Sequence, residues 1–258
     1  MVWRSLIASV SAAGLAAAAL LGPVAADASA ISHKPRVPAN ATHAGNLGWA
    51  SSNWSGYAVA SAGTPFTSIT GTWRVPSVSA TKTASYSSNW IGIDGFNNSS
   101  LIQTGTESDY YNRAAHYAVW WEILPAAETP ITTMTVSPGD LINASISRGA
   151  GGVWTITIAD ATTGAKSTTT HAYSGPLTSA EWIEEAPSIG GRVATLAHYG
   201  SATFDPGTVN GASPGLTASD GGAMVQHGVQ VSTPSAPDPA KDGFSVSYGS
   251  TAPAAPTT

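Results

Sequence analysis

Val153-Trp154-Thr155-Ile156-Thr157-Ile158-Ala159-Asp160 alternates apolar and polar side chains, and Thr162-Thr163-Gly164 follows it as a turn signal. A period of two sends successive residues to opposite faces, which is the pattern of a half-buried strand. Similar runs recur on both sides of this stretch, rich in Thr, Val, Ile and aromatics. Candidate strands precede it at 56–61, 68–75, 88–93, 100–105, 115–123, 131–136 and 141–147, and follow it at 166–172, 180–185, 194–204, 224–231 and 244–248. Gly, Pro, Asn and Ser separate them, as in Pro138-Gly139-Asp140, and no long stretch has a helical period. Residues 232–241, with Pro234, Pro237 and Pro239, read as a loop before the last strand. One open sheet of this size would leave a face wet and its edges exposed. The expected fold class is therefore all-β, a two-sheet antiparallel β-sandwich of the jelly-roll or concanavalin-like kind. We expect one such domain over residues 49–250, followed by a flexible tail at 251–258.

The first residues read differently. Arg4 gives a positive start, residues 6–21 an apolar run, and Val24-Ala25-Ala26 or Ala28-Ser29-Ala30 a small-residue cleavage site. Residues 1–26 are expected to be a secretory signal peptide, so the mature chain is expected to be extracellular, with no membrane association once the signal is removed. Residues 27–48 carry His33, Lys34, Pro35, Arg36, Pro38 and His43 with little apolar content. They form either an exposed linker or a short pro-segment whose cations lie over an acidic cleft until low pH neutralises its carboxylates.

Composition narrows the chemistry. There is no cysteine, which excludes thiol catalysis and cysteine-ligated metal centres. His116, His171, His198 and His227 lack metal-ligand spacing, so no metal and no cofactor are expected. No Gly-x-Ser-x-Gly elbow is present to support a serine triad. With only 10 Lys and Arg and a net charge of −5, nucleic acid is not expected as a partner. A monomer is expected.

In a chain so poor in charge, a polar group among apolar neighbours needs a partner or a task. Gln103 lies in Leu101-Ile102-Gln103-Thr104-Gly105, and Glu185 ends Ala180-Glu181-Trp182-Ile183-Glu184-Glu185. On a strand, Glu181, Ile183 and Glu185 share one side and Trp182 and Glu184 the other. Trp90-Ile91-Gly92-Ile93-Asp94-Gly95 precedes Gln103, Trp120-Trp121-Glu122 follows it, and Ser52-Asn53-Trp54-Ser55-Gly56-Tyr57 opens the ordered part.

In this order and at these separations, these segments resemble the glutamic peptidases, the eqolisin family of acid-acting secreted endopeptidases, over roughly residues 53–248. Fungal members carry disulfides, so the absence of cysteine points to the bacterial branch of the resemblance. The resemblance implies a catalytic pair of Gln103 and Glu185. It makes Trp54, Trp90, Asp94, Trp120 and Glu122 cleft or substrate-binding residues, with polypeptides as substrates. Glu184 stands where the family usually has an apolar residue, which leaves Glu184 or Glu181 as possible sharers of the role of Glu185. The implied chemistry is consistent with acid. A carboxylate with an ordinary pKa near ~4.3 stays partly ionised in mild acid and can act as base and then acid, while an amide donates to an oxyanion at any pH. Two other readings remain: a secreted β-sandwich glycoside hydrolase using Glu122 and Glu185, and a non-catalytic carbohydrate-binding module.

Overall fold

A computed structural model of the 258-residue chain describes Met1 and residues 31–39, 46–61 and 63–257. Apart from Met1, the expected signal peptide lies outside the described residues, as do residues 27–30 and 40–45 of the expected linker. The strands are β1 (Ile31–Ser32), β2 (Trp49–Ser51), β3 (Trp54–Ala60), β4 (Ser68–Arg74), β5 (Ser88–Ile93) and β6 (Ile102–Tyr111). Next come β7 (Ala114–Ile123), β8 (Thr129–Pro130), β9 (Leu141–Arg148), β10 (Val153–Asp160), β11 (Lys166–Ala172) and β12 (Ser179–Glu185). The last are β13 (Ser188–Ile189), β14 (Arg192–Val193), β15 (Ser201–Val209), β16 (Gly221–Gln226), β17 (Val229–Pro234) and β18 (Phe244–Tyr248).

The all-β expectation holds, and the strands pair antiparallel throughout except where β2 adds parallel to β16. One hydrogen-bonded path runs β11-β10-β9-β4-β15-β18-β17-β16-β3-β12-β5-β6-β7-β8. It doubles back on itself, so that β4, β9 and β10 pack over β5 and β6 and make the two layers of a sandwich. The period-two pattern explains why. Trp154, Ile156 and Ile158 of β10 are buried while Val153, Thr155 and Thr157 are not, and Ile142, Ala144 and Ile146 repeat the pattern on β9. These side chains meet Trp73, Ile91, Ile93, Trp182 and Phe204 in one core. Its indoles do not waste their polar ends: Trp73 Nε1 donates to Thr106 Oγ1 at 2.9 Å and Trp182 Nε1 to the Thr70 carbonyl at 2.8 Å.

Several strands depart from expectation: β6 runs on from the expected end at 105 to Tyr111, and three segments change character. Residues 131–136 form no strand, because Thr129 and Pro130 already occupy the edge of β7, and Met134 N turns back to the Ile131 carbonyl at 3.1 Å. Its buried Met134 and Val136 serve the core without a ladder. Residues 194–200 are irregular apart from an isolated parallel bridge of Leu196 to Tyr86, and the ladder is confined to Ser201–Val209. The expected strand 224–231 is a hairpin, reversed at His227 (φ 52°) and Gly228 (φ 77°), both left-handed as a two-residue turn of this kind requires. Its second strand then runs through Pro234, into the segment expected to be loop.

Trp182 is the indole that ties the layers at their centre, 1% exposed and bonded across them. Replacing it with alanine is expected to cost about 3–5 kcal/mol, read as a lower midpoint in urea denaturation.

Candidate active site

The register of β12, β5, β6 and β7 sets the site in three rows. Glu181, Gly92, Gln103 and Glu122 are neighbours across the strands; the next row is Ile183, Trp90, Gly105 and Trp120; the third is Glu185, Ser88, Glu107 and Ala118. Since residues two apart share a face, all three rows point the same way. The middle row carries two indoles and needs its glycine. A Cβ on Gly105 would lie 2.5 Å from Trp90 Cβ and 3.0 Å from Trp120 Cζ2, so the two indoles flank a position that only glycine can fill. Trp90 also packs edge-on against Trp54 at 4.9 Å, and Trp54, Trp90, Trp120 and Ile183 form a second apolar cluster.

Acidic groups border this cluster. Gln103 Nε2 donates to Glu122 Oε2 at 2.7 Å, and Trp90 Nε1 donates to Glu185 Oε2 at 2.8 Å. Burial pushes the Glu107 and Glu122 carboxyls up to about 7, each partly offset by the charge of His33. Desolvation also raises Glu181, Glu184 and Asp109 well above the ordinary carboxylate range. Glu181 is fully buried and neither of its oxygens has an aligned donor.

The cleft is filled by the chain's own residues 31–37. β1 adds to β13 through Ile31↔Ile189 and Ser32↔Ser188. The His33 amide donates to Glu122 Oε2 at 3.0 Å and the Lys34 amide to Glu185 Oε1 at 3.1 Å. The His33 ring stacks on Trp120, centroids 3.7 Å apart and 8° from parallel, with Nδ1 at 2.9 Å from Glu185 Oε2. Its Nε2 lies 3.2 Å from Glu128 Oε2, a hydrogen bond, and 2.9 Å from Glu107 Oε1, a charge contact outside hydrogen-bond alignment. Burial alone would lower the imidazolium, but Glu185 and Glu107 outweigh it and hold His33 well above its ordinary value. Asn53 fastens the rest: its Nδ2 donates to the carbonyls of Lys34 and Pro35, both at 3.3 Å, and its Oδ1 accepts from Val37 N at 2.8 Å. Residues 31–36 thus lie against an acidic cleft, while Val37 and Pro38 are exposed.

Most of the expected site residues converge here. Glu122, Trp120 and Glu185 contact His33, Gln103 and Trp90 donate to Glu122 and Glu185 in turn, and Trp54 packs edge-on against Trp90. Glu184 points to the opposite face, where Asn89 Nδ2 donates to it at 2.7 Å. Glu181 is on the cleft face but four residues from Glu185, in the row of Gln103. Asp94 is drawn elsewhere. At φ 72°, it has left the strand, and it accepts from Tyr173 Oη at 2.7 Å, Leu177 N at 2.9 Å and Thr178 N at 3.0 Å, pinning that loop. Sequence reasoning missed Glu107, Glu128, Asn53 and the specific part of His33. Alternation from Gln103 through Gly105 reaches Glu107, so that residue had a signal; Glu128, in the turn after β7, had none. Outside the cleft, Asp205, Asp238 and Asp242 bring one oxygen each within 4.8 Å of one another, a grouping able to hold a cation.

The Peptidase A4 family matches residues 52–248, which takes in every strand of this face. The chain belongs to the Peptidase A4 family. It is 31% identical to Aspergillopepsin-2 of Aspergillus niger over 180 residues, 60% of this chain and 62% of that protein. Scytalidopepsin B of Scytalidium lignicola is 32% identical over 139 residues, 52% of this chain and 51% of that one. The matched spans are thus under two thirds of either relative. A crystal structure of scytalido-glutamic peptidase with a transition state analog inhibitor superposes with TM-score 0.65 at 24% identity, covering 76% of this chain and 98% of that one, which gives the Peptidase A4 fold for this chain.

The raised carboxyls bind protons more tightly folded than unfolded. Stability they contribute is therefore greatest in acid and falls as pH rises from about 4.5 towards 7, the window between the ordinary values and those of Glu107 and Glu122. His33 acts in the same sense, its contribution full below ~6.5 and lost as pH passes its raised value. The thermal midpoint is expected to be higher at pH 4.5 than at pH 7.5. Glu181→Gln, which removes an unpaired buried acid, should raise the pH 7.5 midpoint by more than about 3 °C in calorimetry.

Proposed function

We propose that the chain is a secreted, acid-acting endopeptidase in which Glu185 and Gln103 carry the chemistry. Glu185 takes a proton from water as it attacks the scissile carbonyl, and Gln103 donates its amide N–H to the oxyanion. The same Glu185 then returns the proton to the departing nitrogen, with no covalent acyl-enzyme. Trp90 steadies one oxygen of Glu185; the other, Oε1, keeps a long hydrogen bond from Asn53 Nδ2 at 3.4 Å and is open to water once the Lys34 amide has withdrawn. Glu122 orients the Gln103 amide.

The observation that supports this reading is an extended segment held by Glu185 and by Glu122, the acid to which Gln103 donates. Gln103 and the His33 amide share Glu122 Oε2, and the next amide, Lys34, reaches Glu185, so main-chain groups of an extended segment span the pair. Membership of the Peptidase A4 family supports a polypeptide as the substrate and does not favour the glycosidase or carbohydrate-module readings. Residues 27–48 act, in this reading, as a pro-segment that must leave before substrate enters, and residues 1–26 as the export signal.

Denatured casein or a quenched peptide at about pH 3–5 provides the assay. In a His33→Ala background, Gln103→Ala is expected to lower turnover by about 10²–10³, and Glu185→Gln to abolish it. The His33→Ala chain itself should turn over faster than the unaltered one. A folded Gln103→Ala protein with undiminished activity would end the dyad assignment.

A further inference from the structure

Beside the Ser32 hydroxyl, which donates to Glu122 Oε1 at 3.1 Å, and the Arg36 side chain at Phe96, two kinds of contact hold residues 31–37. Those of β1 and of the His33 and Lys34 amides use only backbone, and any extended peptide could supply them. Those of the His33 ring depend on its chemistry. The ring is fully buried, lies flat on Trp120, and has a carboxylate at each nitrogen: Glu185 at Nδ1, Glu107 and Glu128 at Nε2.

We propose that Trp120, Glu107 and Glu128 form a substrate subsite that selects a cationic, flat side chain, imidazolium first, from the polypeptide bound across the cleft. This rests on the peptidase reading above and names what that site prefers. Trp120 is set for the task by neighbours that take no part in binding. Its Nε1 donates to Ser88 Oγ at 3.1 Å, and Gly105 beside it leaves the indole room to lie against the sheet. Glu107 is on the cleft face of β6, two positions beyond Gly105 and four beyond Gln103, which puts the subsite beside the reacting groups. It is 2% exposed, and neither oxygen has an aligned hydrogen-bond donor even with the imidazole in place. Glu128 closes the pocket from the turn after β7 and is 11% exposed.

A leucine in the same place would keep the contact with the indole but leave the acids without a counter-charge. A site built for a polar partner discriminates strongly against an occupant that lacks it, by about 10–100-fold here. An ammonium would satisfy one side only, as it has no plane to stack and no second nitrogen for Glu185. Histidine should therefore lead arginine, and arginine lysine.

Two measurements test this on the full-length chain carrying His33→Ala, which vacates the pocket. The first maps cleavage sites in a mixed peptide library at about pH 5.5 by mass spectrometry. Histidine is expected to be enriched at one fixed position relative to the cut, and the ratio of kcat/KM for a histidine peptide over its leucine counterpart should be about 10–100. Glu107→Gln with Glu128→Gln should bring that ratio close to one. Cleavage without positional preference, or a preference that survives both substitutions, overturns the proposal. The second needs no catalysis: it compares binding of a synthetic peptide of residues 31–37 with the same peptide carrying leucine in place of histidine, by calorimetry. Tighter binding of the histidine peptide, lost in the double glutamine variant, supports the subsite even if no peptide is cut. Equal binding overturns it whether or not the chain is a peptidase.

Discussion

Four strands paired without a register shift keep a set of acids away from water, and the rest of the molecule is arranged to make that tolerable. Along β12, β5, β6 and β7, Glu181, Glu185, Glu107 and Glu122 face one side. A slip of one residue in any pair would send that strand's acids into the apolar core and its core residues into the cleft. The opposite face resists the slip, because Ile91, Ile93 and Trp182 are already committed to the core between the layers. The same core that makes the sandwich stable therefore fixes the positions of Gln103 and Glu185. Burial, not pairing, dominates the behaviour of the Glu181, Glu107 and Glu122 carboxyls, and it favours their neutral form. A molecule built this way suits acid, where the protons it must hold are abundant.

The fold was legible wherever one face of a strand is wet and the other dry. β5, β10, β11 and β18 lie where alternation puts them, and β12 starts one residue earlier. Errors fell where pairing depends on what lies alongside. Nothing in Ile131-Thr132-Thr133-Met134-Thr135-Val136 says that β8 has already taken the edge of β7. The hairpin at His227-Gly228 was hidden by a weaker turn signal than Asn-Gly, and the apolar content on both sides read as one strand.

Much of the site was legible too, but for two different reasons. Parity alone separates Glu185 from Glu184: one joins the cleft, the other meets Asn89 behind it. Membership of Gln103, Trp90, Trp120 and Glu122 came from the family resemblance, since nothing in a single strand tells which strands will be its neighbours. Asp94 shows the limit of parity. It shares spacing with Trp90, yet its left-handed backbone turns it out of the strand and towards the loop at Tyr173 and Leu177. Glu128 and Asn53 work from a turn and a strand entrance, where periodicity says nothing about direction.

Why the chain should present an imidazole to this face, when Lys34 is the very next residue, follows from shape. The acids lie on two sides of the ring: Glu185 belongs to β12, while Glu107 and Glu128 approach from β6 and the turn after β7. A point charge on a flexible stem can sit close to one of these sides; a protonated imidazole carries a donor at each edge and reaches both. Its flat face then covers Trp120, which no ammonium can do as well. Arg36, the other planar cation of the segment, is used in the same manner at the far end. Its guanidinium lies 4.3 Å from the Phe96 ring centre and 5.9 Å from that of Trp49, with Nε donating to the Phe96 carbonyl at 3.1 Å. In a chain with only 10 Lys and Arg, setting planar cations three residues apart against aromatic rings gives an extended segment its register as well as its charge. Backbone pairing at Ile31 and Ser32 alone would allow that segment to slide; the stacked side chains do not.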